Sequence, residues 1–168
     1  SVGPLAIRDQ LTKRLFDVGV AFAGLVVLAP LLLLVAVAIK LEDRGPVFFV
    51  QRRVGRGNRF FAIYKFRSMT DNTAGTDGTV SATRQDQRIT RVGRLIRRSS
   101  IDELPQIFNV LRGDMSLVGP RPHAIGSQAG DKLFWEVDPR YWERHALRPG
   151  LTGLAQIRGH RGATECES

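Results

Sequence analysis

From Val18 to Ile39 the chain reads VGVAFAGLVVLAPLLLLVAVAI without one charged side chain. That reaches the roughly 20 consecutive apolar residues expected of a helix embedded in a bilayer. Two soluble readings compete with this one. A cleavable leader is disfavoured because AIRDQLTKRLFD mixes acids with bases ahead of the run, and no small-residue cleavage site follows before KLEDRGP. A core helix of a soluble domain would need other elements to cover it on every side. A chain of 168 residues with a formal charge of +9 has few to offer.

Pro30 stands near the middle of the run, removes a backbone donor and crowds the preceding turn, so a kink or break is expected there. Lys13 and Arg14 precede the run, and Lys40, Arg44, Arg52 and Arg53 follow it. A simple crossing carries its excess of Lys and Arg on the cytoplasmic side. Cations on both flanks point instead to two ends on the same side, and to a helix-break-helix segment that enters one leaflet and returns. A kinked helix that spans fully is the alternative, because membrane helices tolerate proline.

The positive charge asks for an anionic partner: nucleic acid, an acidic bilayer surface or a phosphorylated small molecule. A lone cysteine, Cys166, excludes an internal disulfide framework and fits a reducing compartment. His123, His145 and His160 lack the spacing of a zinc ligand set.

After the apolar run, GPVFFVQRRV and RFFAIYKFRS are rich in aromatic and β-branched residues, with Gly55, Gly57 and Asn58 between them, which predicts a β-hairpin. Alternation on the second strand sends Lys65 and Arg67 the same way, where two cations could clasp a diphosphate or simply meet solvent or lipid. The polar stretch from Ser68 to Gln87 reads as a long loop. Ile89, Val92, Leu95 and Ile96 then recur at helical spacing among Arg88, Arg91, Arg94, Arg97 and Arg98, a basic amphipathic segment suited to an acidic membrane surface and equally to nucleic acid. The neighbouring apolar run favours the membrane.

The stretch SSIDELPQIFNVLRGDMSLVGPRP, Ser99 to Pro122, carries the densest chemistry. Ser100 and Glu103 have the spacing of a capping box, while Pro105 prefers the first helical position, so the two signals disagree on where the helix starts. Either way Asp102 and Glu103 lie at or just before the first turn of a helix with Leu104, Ile107, Phe108 and Leu111 on its apolar side and Gly113 as its stop. Free backbone donors there stabilise a carboxylate anion or a bound phosphate, and two acidic capping residues with no further role would look the same. Arg121 sits between two prolines that narrow its backbone freedom, presenting a fork for phosphate oxygens. Neither GxxxxGK nor GxGxxG occurs. Asp114 and Arg148 are further polar candidates. Trp135, Tyr141 and Trp142, interleaved with Arg140, Arg144 and Arg148, suit a headgroup-level surface, and LRPGLTG reads as a turn.

Three segments together, KRLFDVGVAFAGLVVLAPLLLLVAVAIKLEDRGPVFFVQRRVGRGNRFFAIYKFRSM, TRVGRLIRRSSIDELPQIFNVLRGDMSLVGPRP and RPGLTGLAQIRG, resemble the catalytic domain of bacterial sugar transferases, the monotopic polyprenyl-phosphate phosphoglycosyl transferases that initiate exopolysaccharide, capsule or O-antigen synthesis. The resemblance implies an α+β monotopic membrane protein with an N-terminal re-entrant helix broken at Pro30, a small β-hairpin and amphipathic surface helices. The domain bounds that follow are an extension over 1–12, the re-entrant helix over 13–44, a cytoplasmic catalytic domain over 45–159 and a tail over 160–168. The family continues with another helical stretch after the motif seen here as TGLAQIRG, so an excised or truncated domain is expected.

The implied reaction moves a sugar 1-phosphate from a UDP-sugar to undecaprenyl phosphate at the cytoplasmic face of the inner membrane, releasing UMP and requiring Mg2+. By resemblance Asp102 is the nucleophile and Glu103 a metal-associated or proton-handling partner, with both carboxylates available to the metal. Lys65, Arg67 and Arg121 serve substrate phosphates. The implied partners are the UDP-sugar, undecaprenyl phosphate and an acidic phospholipid bilayer, with no nucleic acid and with self-association into a homo-oligomer left open. The rival classes are a membrane-tethered nucleic-acid binder and a surface adaptor without catalysis.

Overall fold

The computed structural model describes residues 7–70, 88–122, 128–129, 132–133 and 147–153. One helix, α1 (Ile7–Asp43), takes up the whole apolar run and both flanks. At 37 residues it is about 55 Å along its axis. The two helices expected on either side of Pro30 are not resolved as a pair: a single helical element continues through the proline. Pro30 removes only its own N–H from the ladder, which leaves the Val26 carbonyl without its helical donor, while the apolar residues on both sides keep theirs.

Only Ala21, Val35 and Ile39 of the apolar run are buried, whereas Leu15, Val27 and Leu41 are 75%, 74% and 79% exposed. This excludes the wrapped core helix and leaves a broad apolar belt for lipid. The buried stripe meets the rest of the chain at two places. Ala21 and Leu25 pack with Ile63, Ile107, Val110 and Met115. Val35 and Ile39 pack with Phe66 and Ile96.

Both ends of α1 are also tied by polar contacts. Near the start, Asp17 is 3% exposed and accepts from Ser116 Oγ at 2.7 Å and from Leu117 N at 3.3 Å. Arg14 donates to the carbonyls of Val110 and Leu111. Near the end, Glu42 accepts from the backbone N–H groups of Arg91 and Val92 at 2.8 and 3.0 Å. There it caps the first turn of α2 (Arg91–Arg98), which also takes a side-chain cap from Thr90.

The hairpin forms as expected. β1 (Phe48–Val54) pairs antiparallel with β2 (Phe60–Phe66), from Phe48 opposite Phe66 to Val54 opposite Phe60. A 3-10 turn at Arg56–Asn58 closes it, with Gly57 at φ 64°. On α2, Ile96 is buried while Leu95 is 68% exposed among the arginines, an apolar contribution to a basic face.

The capping box is corrected. Residues Ile101–Gln106 form a 3-10 helix, Ser100 takes φ 59° without a side-chain cap, and the α-helical part, α3 (Ile107–Arg112), begins only after Pro105. Pro105 has no N–H to donate to the Ile101 carbonyl, so an α-helical ladder started at Ser100 would lack that bond. Glu103 is thereby free to point elsewhere. Ile107 and Val110 are buried but Phe108 is 36% exposed, so the apolar face is narrower than expected. Gly113 stops the helix at φ 96° as anticipated.

LRPGLTG is more than a turn. β6 (Gly150–Thr152) runs parallel to β3 (Ser116–Val118), with Ser116 opposite Gly150 and Val118 opposite Thr152. A Cβ on Gly119 or Gly150 would overlap the backbone of the facing segment, so these glycines serve close approach. β4 (Gln128–Ala129) and β5 (Lys132–Leu133) form a further short pair. The loop read over Ser68–Gln87 falls largely outside the described residues, as do Trp135, Tyr141, Trp142, the three histidines, Cys166 and the 160–168 tail.

Candidate active site

The 3-10 turn lays Asp102 and Glu103 against the end of β2. Lys65 donates to Glu103 Oε1 at 2.9 Å, and Arg121 Nη2 lies 4.0 Å from the same oxygen. Three of the five expected charged groups, Lys65, Glu103 and Arg121, therefore converge from β2, the turn and the segment after β3. Asp102 joins them through its field: Lys65, Glu103 and Arg97 all act on its carboxyl.

The adjacent carboxyls are driven apart. Burial raises the pKa of Asp102, the Lys65 charge opposes this, the Glu103 charge adds to it, and Arg97 and a backbone N–H oppose it more weakly; the net shift is upward. Burial also raises Glu103, but the charge and hydrogen bond of Lys65, then Arg121 and Arg53, outweigh it and bring it below its ordinary value. Glu103 is a fixed anion inside a cationic clamp. Among the described residues Asp102 forms no ion pair and no hydrogen bond to another side chain; its carboxyl meets only a backbone N–H.

Arg67 goes elsewhere. It is 5% exposed and its Nη2 lies 2.8 Å from Asp43 Oδ2 at the end of α1. Gly45 makes room for it, because a Cβ there would overlap the guanidinium. Lys65 and Arg67 thus do not act as one clasp: β2 ends at Phe66, and Arg67 follows the chain as it bonds back to Val47. Asp114 and Arg148 lie together at the other end of the hairpin, lining a cleft with Arg56 and Arg59.

Sequence reasoning missed Arg53 and Arg97 as electrostatic neighbours of the dyad, and Asn109, which positions it. Asn109 is fully buried, donates to the Ala62 carbonyl at 2.6 Å and accepts from Tyr64 N at 3.1 Å, clipping α3 to β2. A polar residue amid the apolar spacing of IFNVL was the available signal.

Among the described residues no group of three metal-ligating side chains occurs. Two adjacent carboxylates are nonetheless a fitting donor set for Mg2+, which is commonly held by one or two carboxylates together with substrate phosphates. Asp102, without an ion-pair partner among the described residues, has oxygen lone pairs to offer such a site.

The sequence profile of the bacterial sugar transferases matches residues 8–168. The chain belongs to this family. It is 55% identical over 159 residues to an undecaprenyl-phosphate glucose phosphotransferase of Komagataeibacter xylinus, covering 95% of this chain and 30% of that one. It is 51% identical over 157 residues to the exopolysaccharide production protein PSS of Rhizobium leguminosarum bv. phaseoli, covering 94% and 78%. A UDP-N-acetylgalactosamine-undecaprenyl-phosphate N-acetylgalactosaminephosphotransferase of Aeromonas hydrophila is 51% identical over 145 residues, 86% of this chain and 33% of that one. The chain therefore spans about a third of the length of two of these relatives.

Proposed function

We propose that this bacterial sugar transferase chain moves a hexose 1-phosphate from a UDP-sugar to undecaprenyl phosphate, with Asp102 as nucleophile. The observation that carries the reading is the arrangement around the dyad: Glu103 is engaged by Lys65 and flanked by Arg121, while the neighbouring Asp102 has no ion-pair partner among the described residues and burial makes it more basic than an ordinary aspartate. Higher basicity makes a carboxylate a better nucleophile, and flanking cations offset its repulsion from a diphosphate.

In the first step an Asp102 oxygen bonds to the β-phosphorus of the UDP-sugar, the bond from that phosphorus to the bridging oxygen breaks, and UMP leaves with the electron pair. In the second, an oxygen of the polyprenyl phosphate attacks the same phosphorus and releases the carboxylate. Lys65 and Arg121 hold phosphate oxygens, and Glu103 keeps Lys65 oriented. Asp102 and Glu103 would hold Mg2+, which supplies charge neutralisation at the diphosphate when bound. Arg67, locked to Asp43, acts on the architecture of the site rather than on phosphate.

The same reading makes the chain monotopic, with its catalytic part at the cytoplasmic face. Support comes from α1, whose two ends grip the same polar body through Asp17 and through Glu42 and Asp43. A simple crossing would separate those ends by a full bilayer.

The test is the half-reaction. With UDP-glucose or UDP-N-acetylgalactosamine and Mg2+, but no lipid, the protein releases one UMP per site and carries a phosphosugar mass on the peptide containing Asp102; Asp102→Asn abolishes both. UMP release that strictly requires polyprenyl phosphate, with no trapped adduct, leaves Asp102 as a metal ligand or base instead.

A further inference from the structure

The far end of the hairpin holds a second cationic site. Arg56, Arg59, Phe60 and Phe61 face Asp114 and Arg148 across a cleft of about 570 Å³. From Phe60 to Lys65 the strand rises about 17 Å, so this cleft is separate from the dyad.

Among the described residues its arginines have no ion-pair partner. Asp114 is already committed, with Oδ2 3.4 Å from Arg112 Nε and accepting from Asn109 Nδ2 at 3.4 Å. Among the described residues no carboxylate forms an ion pair with Arg56, Arg59 or Arg148. The backbone keeps the arginines in place despite their repulsion. Ser116 N donates to Pro149 O at 2.8 Å and Gly150 N to Pro120 O at 2.9 Å, which fixes the approach of Arg148, while Gly55 N donates to Arg59 O at 2.8 Å and closes the turn that carries Arg56. Burial, then the charges of Arg14 and Arg56, lower the pKa of Arg148, and Asp17 only partly opposes them.

Planar guanidinium forks lining one cleft match the oxygens of a phosphate. The volume lies in the range of small-molecule sites, and the two phenylalanines add an apolar wall. Arg14, whose charge reaches Arg148, sits one turn before the uncharged run of α1, which puts the cleft near headgroup level.

We infer that this cleft binds a phosphate group through Arg56, Arg59 and Arg148, as a site distinct from the transfer centre. A phospholipid headgroup and a soluble phosphate or diphosphate share that chemistry; the apolar wall and the neighbouring membrane flank favour the lipid. The inference does not depend on the transfer reaction.

The full chain in neutral detergent is titrated with inorganic pyrophosphate by calorimetry, and its retention of phosphatidylglycerol against phosphatidylcholine is followed by native mass spectrometry. Arg56→Gln and Arg148→Gln each weaken one pyrophosphate site at least tenfold, Arg148→Lys recovers part of the loss, and that site persists in Lys65→Met. Phosphatidylglycerol retention lost in the same two variants identifies a lipid phosphate. Loss of pyrophosphate binding alone identifies a soluble anion. Arg56 lies on an exposed turn, so its variant keeps the thermal transition of the parent. Unchanged binding of both probes in Arg56→Gln and Arg148→Gln, or no pyrophosphate binding that survives Lys65→Met, overturns the inference.

Discussion

Lys65 on β2 and Glu103 on the 3-10 turn meet at 2.9 Å, joining the hairpin to the segment that carries both candidate catalytic carboxylates. Glu103 is the partner whose ionisation this contact favours. A carboxyl with a depressed folded pKa contributes stability that is present above its unfolded value and lost as pH falls through the folded one. The thermal midpoint of Glu103→Gln should therefore lie below that of the parent above about pH 4.5, the ordinary glutamate range. The two curves should converge as the buffer falls through the lowered pKa. A constant gap across that window removes the Lys65 contact from the account.

Asp102 answers the opposite way. Arg97 lowers its pKa and is not among the larger influences on Glu103, so Arg97→Gln addresses mainly one member of the pair. If ionised Asp102 is the nucleophile, the acid limb of kcat/KM moves to higher pH in this variant, because more of the carboxyl stays protonated. The pH plateau falls less than tenfold, since Arg97 forms none of the clamp contacts on Glu103. A limb that stays put assigns the acid limb to another group.

Much of this arrangement was legible in the sequence, and the exceptions have physical causes. The uncharged run, the hairpin and the Gly113 stop follow from local rules: length, alternation and left-handed φ. The meeting of Lys65, Glu103 and Arg121 was reached through motif resemblance, because local spacing says nothing about which strand a turn will touch. Arg67 was paired with Lys65 on a period-two argument that ends with β2 at Phe66. The parallel contact of β3 with β6 was hidden because Gly150, read as part of a turn, meets Gly119 where two backbones touch.

Asn109 gives a stability test away from the dyad. Its amide satisfies Ala62 O and Tyr64 N, and alanine would leave a donor and an acceptor without their partner in the packed interior. Each such group costs about 1–3 kcal/mol, so Asn109→Ala should destabilise by about 2–6 kcal/mol in reversible denaturant unfolding in detergent. A loss under about 0.5 kcal/mol, within the usual range of surface substitutions, would mean that water replaces the amide.

The membrane posture of α1 is tested from its flanks. In a Cys166→Ser background, Gln10→Cys and Arg44→Cys bracket the apolar run of α1, and both should resist an impermeant maleimide applied to intact cells. Pro30→Leu restores a donor for the Val26 carbonyl and gives an uninterrupted run long enough to cross. Crossing must still break the grip of Asp17 on Ser116 and Leu117 at one end, or of Glu42 and Asp43 at the other. The single substitution should therefore leave both flanks protected. Adding Asp17→Ala removes the buried carboxylate that anchors the N-terminal end. With both changes, the thiol introduced by Gln10→Cys should become reactive while the thiol introduced by Arg44→Cys stays protected. Labelling of one flank in the Pro30-containing protein would establish a spanning helix, and would require the polar ties now seen at its two ends to be absent in the membrane.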